Sequence, residues 1–357
     1  MEASLNLAIN KILATAAKRR ALNVHLTVGA YPVLRIDDEL VELAEEQIVT
    51  QDFINQLAGS WVSDLQKTEL EKEKAIIFVK EVSKNLRLKI NFFYQKGSLA
   101  ASFRLIPTQI SPLINLGLPK SIYGLADKKS GLIIVCGPYG SGRTTTAASI
   151  IQEINKSRKE NIITIEKPIE YLIANQKSLI EQREVGRDAN SFIDALNYAQ
   201  QADVDIIAVG ASQEEGIIPL VLEFASSGRL AILVMDTNSV VQTLEEILSA
   251  FRPEEKLRAQ SLLSESLLAV ISQRLVPRAG GGLILAAEVL FATEPVQSLI
   301  AEGRIKQLTT ILQTSRAEGM LSLDQALAEL VSSGEVLIDK AVEYAADPQN
   351  FRAIAKS

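Results

Sequence analysis

The sequence predicts an α/β protein of two domains, and three observations carry that expectation. The chain has 357 residues, more than one typical domain holds. Its early part carries an amphipathic helix and then strands that alternate apolar with polar residues. After about residue 125, near-continuous apolar β-runs alternate with helical stretches, the pattern of a largely parallel sheet covered on both faces. The expected boundaries are a small α+β domain over 1–108, a linker over 109–124, and an α/β domain with C-terminal helices over 125–357.

In the opening helix, Leu5, Ala8, Ile9, Ile12, Leu13 and Ala16 recur at helical spacing, with Lys18, Arg19 and Arg20 at its negative end. Strand-like segments NVHLTV and PVLRID follow. From Asn85 to Phe93, Leu86, Leu88, Ile90 and Phe92 alternate with Arg87, Lys89 and Asn91, so Arg87 and Lys89 share one face. A further short strand, ASFRLIP, carries Arg104. Pro107, Pro112, Pro119 and two glycines then punctuate a stretch without periodicity, which reads as the linker. The strands of the second domain are GLIIVC, IITIE, DIIAVG, RLAILVM and GLILAAEVL, and the tail after Gly319 is helical.

Composition excludes several function classes. Hydrophobic residues make up 47% and charged residues 22%, ordinary for a globular chain. A net charge of -6 gives no broad basic field, so nucleic acid is not an expected partner. The single cysteine, Cys136, leaves no intrachain disulfide and no multi-cysteine zinc site. The first residues include Glu2 and polar interruptions unlike a signal peptide, and no uncharged apolar run reaches about 18 residues. The expectation is a cytoplasmic protein without direct membrane insertion, peripheral at the inner membrane through partners.

The most informative stretch is Gly137-Pro138-Tyr139-Gly140-Ser141-Gly142-Arg143-Thr144, set between a β-run and an amphipathic helix. Apart from Arg143 it fits G-x-x-x-x-G-K-[ST] in the strand–loop–helix context that motif needs. Glycines let backbone N–H groups turn inward around a phosphate, and the next helix adds its positive end. Gly137 to Thr145 are therefore the candidate nucleotide-binding residues, for ATP or ADP, and the Thr144 hydroxyl is placed to ligate Mg²⁺. A Gly-rich turn that binds nothing is the weaker reading. Arg143 brings a planar fork where a compact lysine charge is usual, so Mg²⁺-nucleotide is expected to be held less well at its terminal phosphate.

On these residues the chain resembles the type IV pilus retraction ATPase family (PilT-like), within the type II/IV secretion ATPase superfamily. NVHLTVGAYPVLRID and FRLIP resemble the start and end of that family's N-terminal domain, and ITIEKPIEY its Asp box. QREVGRD, SLLSESLLAVISQRLVPRAGGG and GMLSLDQALAELVSSGEV are similar to later family segments. The resemblance implies a PAS-like N-terminal domain, a RecA-like P-loop NTPase domain, and a hexamer with ATP between protomers. It also implies an inner-membrane pilus platform protein as partner. A four-cysteine zinc motif, usual in the extension and type II secretion branches, is missing, so the retraction branch is the nearer match.

Departures from the family pattern concentrate in its catalytic motifs. Where the family has a glutamate after the strand of DVDIIAVGAS, this chain has Ala211, while Asp205 sits at that strand's start, far from phosphate. Glu214 and Glu215, about a turn further on, read as solvated helix surface. The Asp box has become Glu166-Lys167, which leaves Glu166 as the one acidic catalyst expected at this edge. Lys167 reads as a surface salt-bridge residue, with reach to the phosphates as the alternative. The two histidines of the family's His box fall at Arg229 and Asp236, and the sole histidine, His25, lies in the N-terminal strand with a packing role expected. The family's retraction motif reads PVQSLIAE, with Pro295, Gln297 and Ala301 at the changed positions. Arg87 and Arg104 match N-domain arginines that reach nucleotide across the family's interface, and solvated strand faces are a comparable reading for them. The arginine expected between them falls at Gly97, beside Lys96.

Three functions follow from these readings. The favoured one is a nucleotide-binding motor subunit with impaired hydrolysis, acting structurally or co-assembled with an active paralogue. The others are an active retraction ATPase using compensating residues, and a nucleotide-free scaffold.

Overall fold

The computed structural model describes residues 2–37, 39–84 and 86–355, with the side chains of 2–4 excepted; Asn85, expected to open a strand, lies outside the described residues. The chain divides into two compact units, Met1–Gln109 and Ile110–Ser357.

The first unit begins with α1 (Glu2–Lys18), whose Leu5, Ile9, Ile12, Leu13 and Ala16 are buried as the helical spacing predicts. There follow β1 (Asn23–Leu26), β2 (Val33–Ile36), β3 (Glu39–Glu42), α2 (Gln51–Trp61), α3 (Asp64–Glu73), β4 (Ala75–Ser83), β5 (Leu86–Gln95) and β6 (Ser98–Pro107). These strands form one antiparallel sheet in the order β3-β2-β1-β6-β5-β4. Alternation on β5 sends Leu88, Ile90 and Phe92 into a core shared with α1 and α2. Thr50 and Ser63 cap α2 and α3, the latter through a capping box with Gln66. Strands β5 and β6 join through Lys96 and Gly97, both at positive φ. A two-residue hairpin loop demands that backbone conformation, which gives Gly97 a local conformational role.

The second unit opens with the stretch expected as a linker. It folds as 3-10 turns over Leu113–Asn115 and Lys120–Asp127, and Leu113, Leu118 and Ile122 are buried in this unit's core. Its prolines shape turns; they do not release the chain. Beyond lie β7 (Gly131–Cys136), α4 (Arg143–Ser157), β8 (Asn161–Glu166), β9 (Leu179–Glu184), α5 (Phe192–Gln201), β10 (Ile206–Val209) and α6 (Ile217–Ser226). Then come β11 (Leu230–Met235), α7 (Val240–Ser249), α8 (Lys256–Ser266), β12 (Leu267–Pro277) and β13 (Leu283–Phe291). Short helices α9 (Glu294–Ala301), α10 (Leu308–Thr314), α11 (Leu323–Ser332), α12 (Ile338–Tyr344) and α13 (Pro348–Ile354) complete the chain.

The sheet of this unit runs β13-β12-β7-β11-β10-β8-β9, parallel throughout except for the β12–β13 pair. Every residue of β7, β10 and β11 is buried, and apolar clusters cover both faces. That is why these strands read as unbroken apolar runs. The register sets Cys136 beside Met235, and Val209 beside both Leu233 and Ile165. The carboxyl ends of β7, β11, β10 and β8 therefore lie along one edge of the sheet, where ligands of open α/β folds bind. Among the described residues, no helix is long and apolar enough to cross a membrane.

Candidate functional site

The loop from Gly137 to Gly142 joins β7 to α4 at that edge. Gly137 has φ +147°, and a Cβ there would sit 2.5 Å from both the Gln273 carbonyl oxygen and Ser141 Oγ. Only glycine fits so close to β12 without displacement. Gly140 and Gly142 also take positive φ, +83° and +93°. The Ser141 N–H donates to the Pro138 carbonyl at 3.2 Å, which closes a tight turn. Pro138 and Gly140 are half-buried and Tyr139 is exposed.

Two features of this loop fit an anionic group. No side chain caps the N-terminus of α4, whose N-cap is Gly142, so its first N–H groups meet no side-chain acceptor of their own helix. Ser141 Oγ is buried and has no hydrogen-bond partner among the described residues. Thr144 is half-buried at the start of α4, and Thr145 Oγ1 lies 2.9 Å from the Tyr171 hydroxyl. Gln273 Nε2 donates to Thr146 Oγ1 at 2.8 Å, which ties α4 to β12. Among the described residues no group of three or more His, Cys, Asp or Glu could hold a metal ion.

Arg143 does not extend along the loop. Its Nη1 donates to the Met235 carbonyl at 2.7 Å and to the Asp236 carboxylate. Both partners lie at the end of β11, beside the point where the loop leaves β7.

Glu166 ends β8 and is largely enclosed. Thr164 Oγ1 donates to its Oε1 at 2.7 Å, and Gln182 Nε2 reaches the same oxygen at 3.3 Å. Burial pushes its carboxyl up to about 7, only partly offset by those two donors. It lines a cavity of about 40 Å³ together with Thr144, Thr164, Tyr171 and Gly210, room for about one water. Lys167, next along, is exposed.

At the end of β10, the Gly210 N–H donates to the Ile165 carbonyl, and Ala211 packs its methyl against the apolar cluster beneath. Glu214, expected on a solvated helix surface, sits elsewhere. It precedes α6, and its carboxylate accepts from the N–H groups of Phe192 and Ile193 at 3.1 and 3.3 Å. An acidic side chain at a helix N-terminus satisfies donors that the helix leaves open, and this fixes Glu214 as a cap of α5. Glu215 is exposed.

Other residues marked in the sequence lie away from this edge. Asp205 precedes β10 and accepts from the Asn161 N–H at 2.9 Å, at the amino end of the strands. Arg229 precedes β11, so the length of that strand, roughly 20 Å, separates it from Asp236. Its guanidinium stacks 3.8 Å over the Phe224 ring and donates to Ser227 Oγ. Of the two His-box positions, only Asp236 therefore lies at the carboxyl edge of the sheet. Gln297 lies on α9, whose Val296 and Ile300 are buried.

In the first unit, Arg104 pairs with Lys89 on β5 and with Asn23 on β1, while Arg87 pairs with Glu81 on β4 and Ile106 on β6. Arg87 and Arg104 therefore lie on the sheet face opposite the core, as the alternation predicts; Arg87 is nearly buried and Arg104 half-buried. His25 is half-buried on the same face, and burial with the nearby Arg35 charge keeps its imidazole below the ordinary value. Residues that sequence reasoning missed are Gln273, Tyr171 and Gln182. Each acts through a partner on another element, and no local spacing marks such a contact.

Residues 2–330 match the family described as type II/IV secretion system protein. The type IV pilus retractation ATPase PilT of Pseudomonas aeruginosa is 34% identical over 343 residues, covering 96% of this chain and 99% of that one. A twitching motility protein of Neisseria gonorrhoeae is 33% identical, covering 90% and 86%. A solved structure of the pilus retraction motor PilT with bound ADP superposes with a TM-score of 0.82 at 35% identity, covering 96% of this chain and 98% of that one. With a matching sequence family, matching relatives over nearly their full length and a matching fold, this chain belongs to the type II/IV secretion system protein family, as a PilT-like member.

Proposed function

We propose that the chain is a nucleotide-binding subunit of a type IV pilus or secretion motor that hydrolyses ATP poorly and acts through its shape and assembly. Gly137 to Thr145 would hold the phosphates through backbone N–H groups and the positive end of α4. Thr144 would ligate Mg²⁺, whose chemistry is to neutralise charge on the transferring phosphate.

The observation that carries the impaired-hydrolysis reading is the end of β10. Ala211 offers no proton acceptor there, and the next carboxylate, Glu214, is engaged as the cap of α5. Positioned acid–base groups contribute about 10²–10⁴-fold, so a site without one turns over slowly. In keeping with the family, the subunit would assemble as a hexamer or with an active paralogue, against an inner-membrane platform protein. Arg87 and Arg104 are its candidate contacts to nucleotide across such an interface.

One observation favours an active enzyme. Glu166 lines the same small cavity as Thr144, and a carboxyl held at about 7 accepts protons well at neutral pH. Titration of the full chain with a fluorescent ATP analogue and Mg²⁺, with phosphate release followed in the same sample, separates the readings. Saturation below millimolar with little phosphate release is expected. Rapid release that disappears in Glu166→Gln establishes the enzyme instead, and absence of saturation establishes the scaffold.

A further inference from the structure

Two residues that depart from the family pattern meet in space. Arg143, the first residue of α4, and Asp236, just past β11, form an ion pair, and the same Arg143 nitrogen also donates to the Met235 carbonyl at 2.7 Å. Nothing in the sequence links positions that lie 93 residues apart. The parallel pairing of Met235 with Cys136 brings them together where the loop departs from the sheet.

The physics of each residue alone is unfavourable here. A guanidinium at a helix N-terminus faces the positive end of the dipole, and a carboxylate beside a phosphate cradle repels a polyanion. Together they offset one another. The Arg143 side chain is only 10% exposed, while that of Asp236 is 46% exposed, so the pair has one enclosed and one solvated end. Asp236, at the solvated end, can leave the pair, and the enclosed Arg143 charge then needs another anionic partner. Both bonds leave the one nitrogen Nη1, so the carbonyl and the carboxylate together hold that end of the guanidinium.

We propose that Asp236 is a latch on the phosphate loop: its ion pair with the Arg143 guanidinium competes with phosphate and thereby sets how tightly phosphate is bound. This rests on the nucleotide-binding reading above. Binding must draw Arg143 away from Asp236 or leave the carboxylate facing the phosphates, and either course lowers affinity.

The test uses the full chain with Asp236→Asn, Arg143→Met and the double variant. Without ligand, a double-mutant cycle on thermal unfolding reads the pair directly. The latch predicts that the double variant loses less than the sum of the single losses, and additive losses overturn it. Titration with fluorescent ADP and Mg²⁺ reads the consequence. Asp236→Asn is expected to bind about tenfold more tightly than the parent chain. Equal or weaker binding overturns the latch while leaving the nucleotide reading in place. If neither protein binds and the thermal coupling persists, it is the nucleotide reading that fails, and the latch's role in affinity falls with it.

Discussion

The loop that follows β7 and the strand ends of β8, β10 and β11 share one edge of one sheet, yet they are built on different principles. In the loop, backbone demands are met throughout: Gly137 clears the Gln273 carbonyl, Gly140 and Gly142 take left-handed φ, and Thr144 begins α4. Along the neighbouring strand ends, side chains set the chemistry: a methyl at Ala211, an enclosed carboxyl at Glu166, and an anion at Asp236 that pairs with Arg143. A cradle made of backbone N–H groups and a helix end tolerates side-chain change, because few of its contacts depend on side chains. Water activation has no such tolerance. On the proposed function, the contrast means that binding and turnover rest on separable parts of this edge.

The largest expected effect tests the rigid half of the comparison. Gly137→Ala adds a Cβ 2.5 Å from two oxygens at a φ that L-residues avoid. Strain and overpacking together should cost about 2–5 kcal/mol, read by denaturant unfolding. A loss under about 1 kcal/mol would mean that the cradle is looser than its geometry implies.

A smaller effect tests the altered half. The Glu166 carboxyl stands at about 7 against an ordinary 4.5. Between those values the folded chain keeps a proton that the unfolded chain has released. Stability therefore falls as pH rises through that window and then levels off. Glu166→Gln removes this dependence, so it should stabilise the chain by about 1–3 kcal/mol at about pH 8 and by little at about pH 5. Equal effects at both pH values, in parallel thermal melts, would place Glu166 in ordinary solvent.

The smallest effect concerns a carboxylate that sequence alone leaves ambiguous. Glu214→Ala should destabilise the chain by about 1 kcal/mol through loss of the α5 cap. Phosphate release should be unchanged, and a coupled assay that finds it reduced would make Glu214 a candidate catalyst.

Much of this was legible in the sequence, for identifiable reasons. Buried parallel strands announce themselves as apolar runs, and the phosphate loop as a glycine pattern between strand and helix, because both are local. The alternation on β5 fixed the face of Arg87 and Lys89 in the same way. Contacts between distant segments left no such mark. The cap from Glu214 to α5, the bond from Gln273 to Thr146 and the pair of Arg143 with Asp236 depend on strand register. Arg229 is instructive in the other direction. It stands one strand away from Asp236 in sequence, and the length of β11 alone was enough to set it at the opposite end of the sheet.

The most direct test of the separation between cradle and catalysis is rescue at one position. Phosphate release from Mg²⁺-ATP should be measured for the full chain and for Ala211→Glu under saturating nucleotide. Slow release by the parent chain, raised at least about tenfold by the restored carboxylate at unchanged affinity, is the predicted result. Release by the parent chain on the order of 1 s⁻¹ or faster, indifferent to Ala211→Glu, would contradict it.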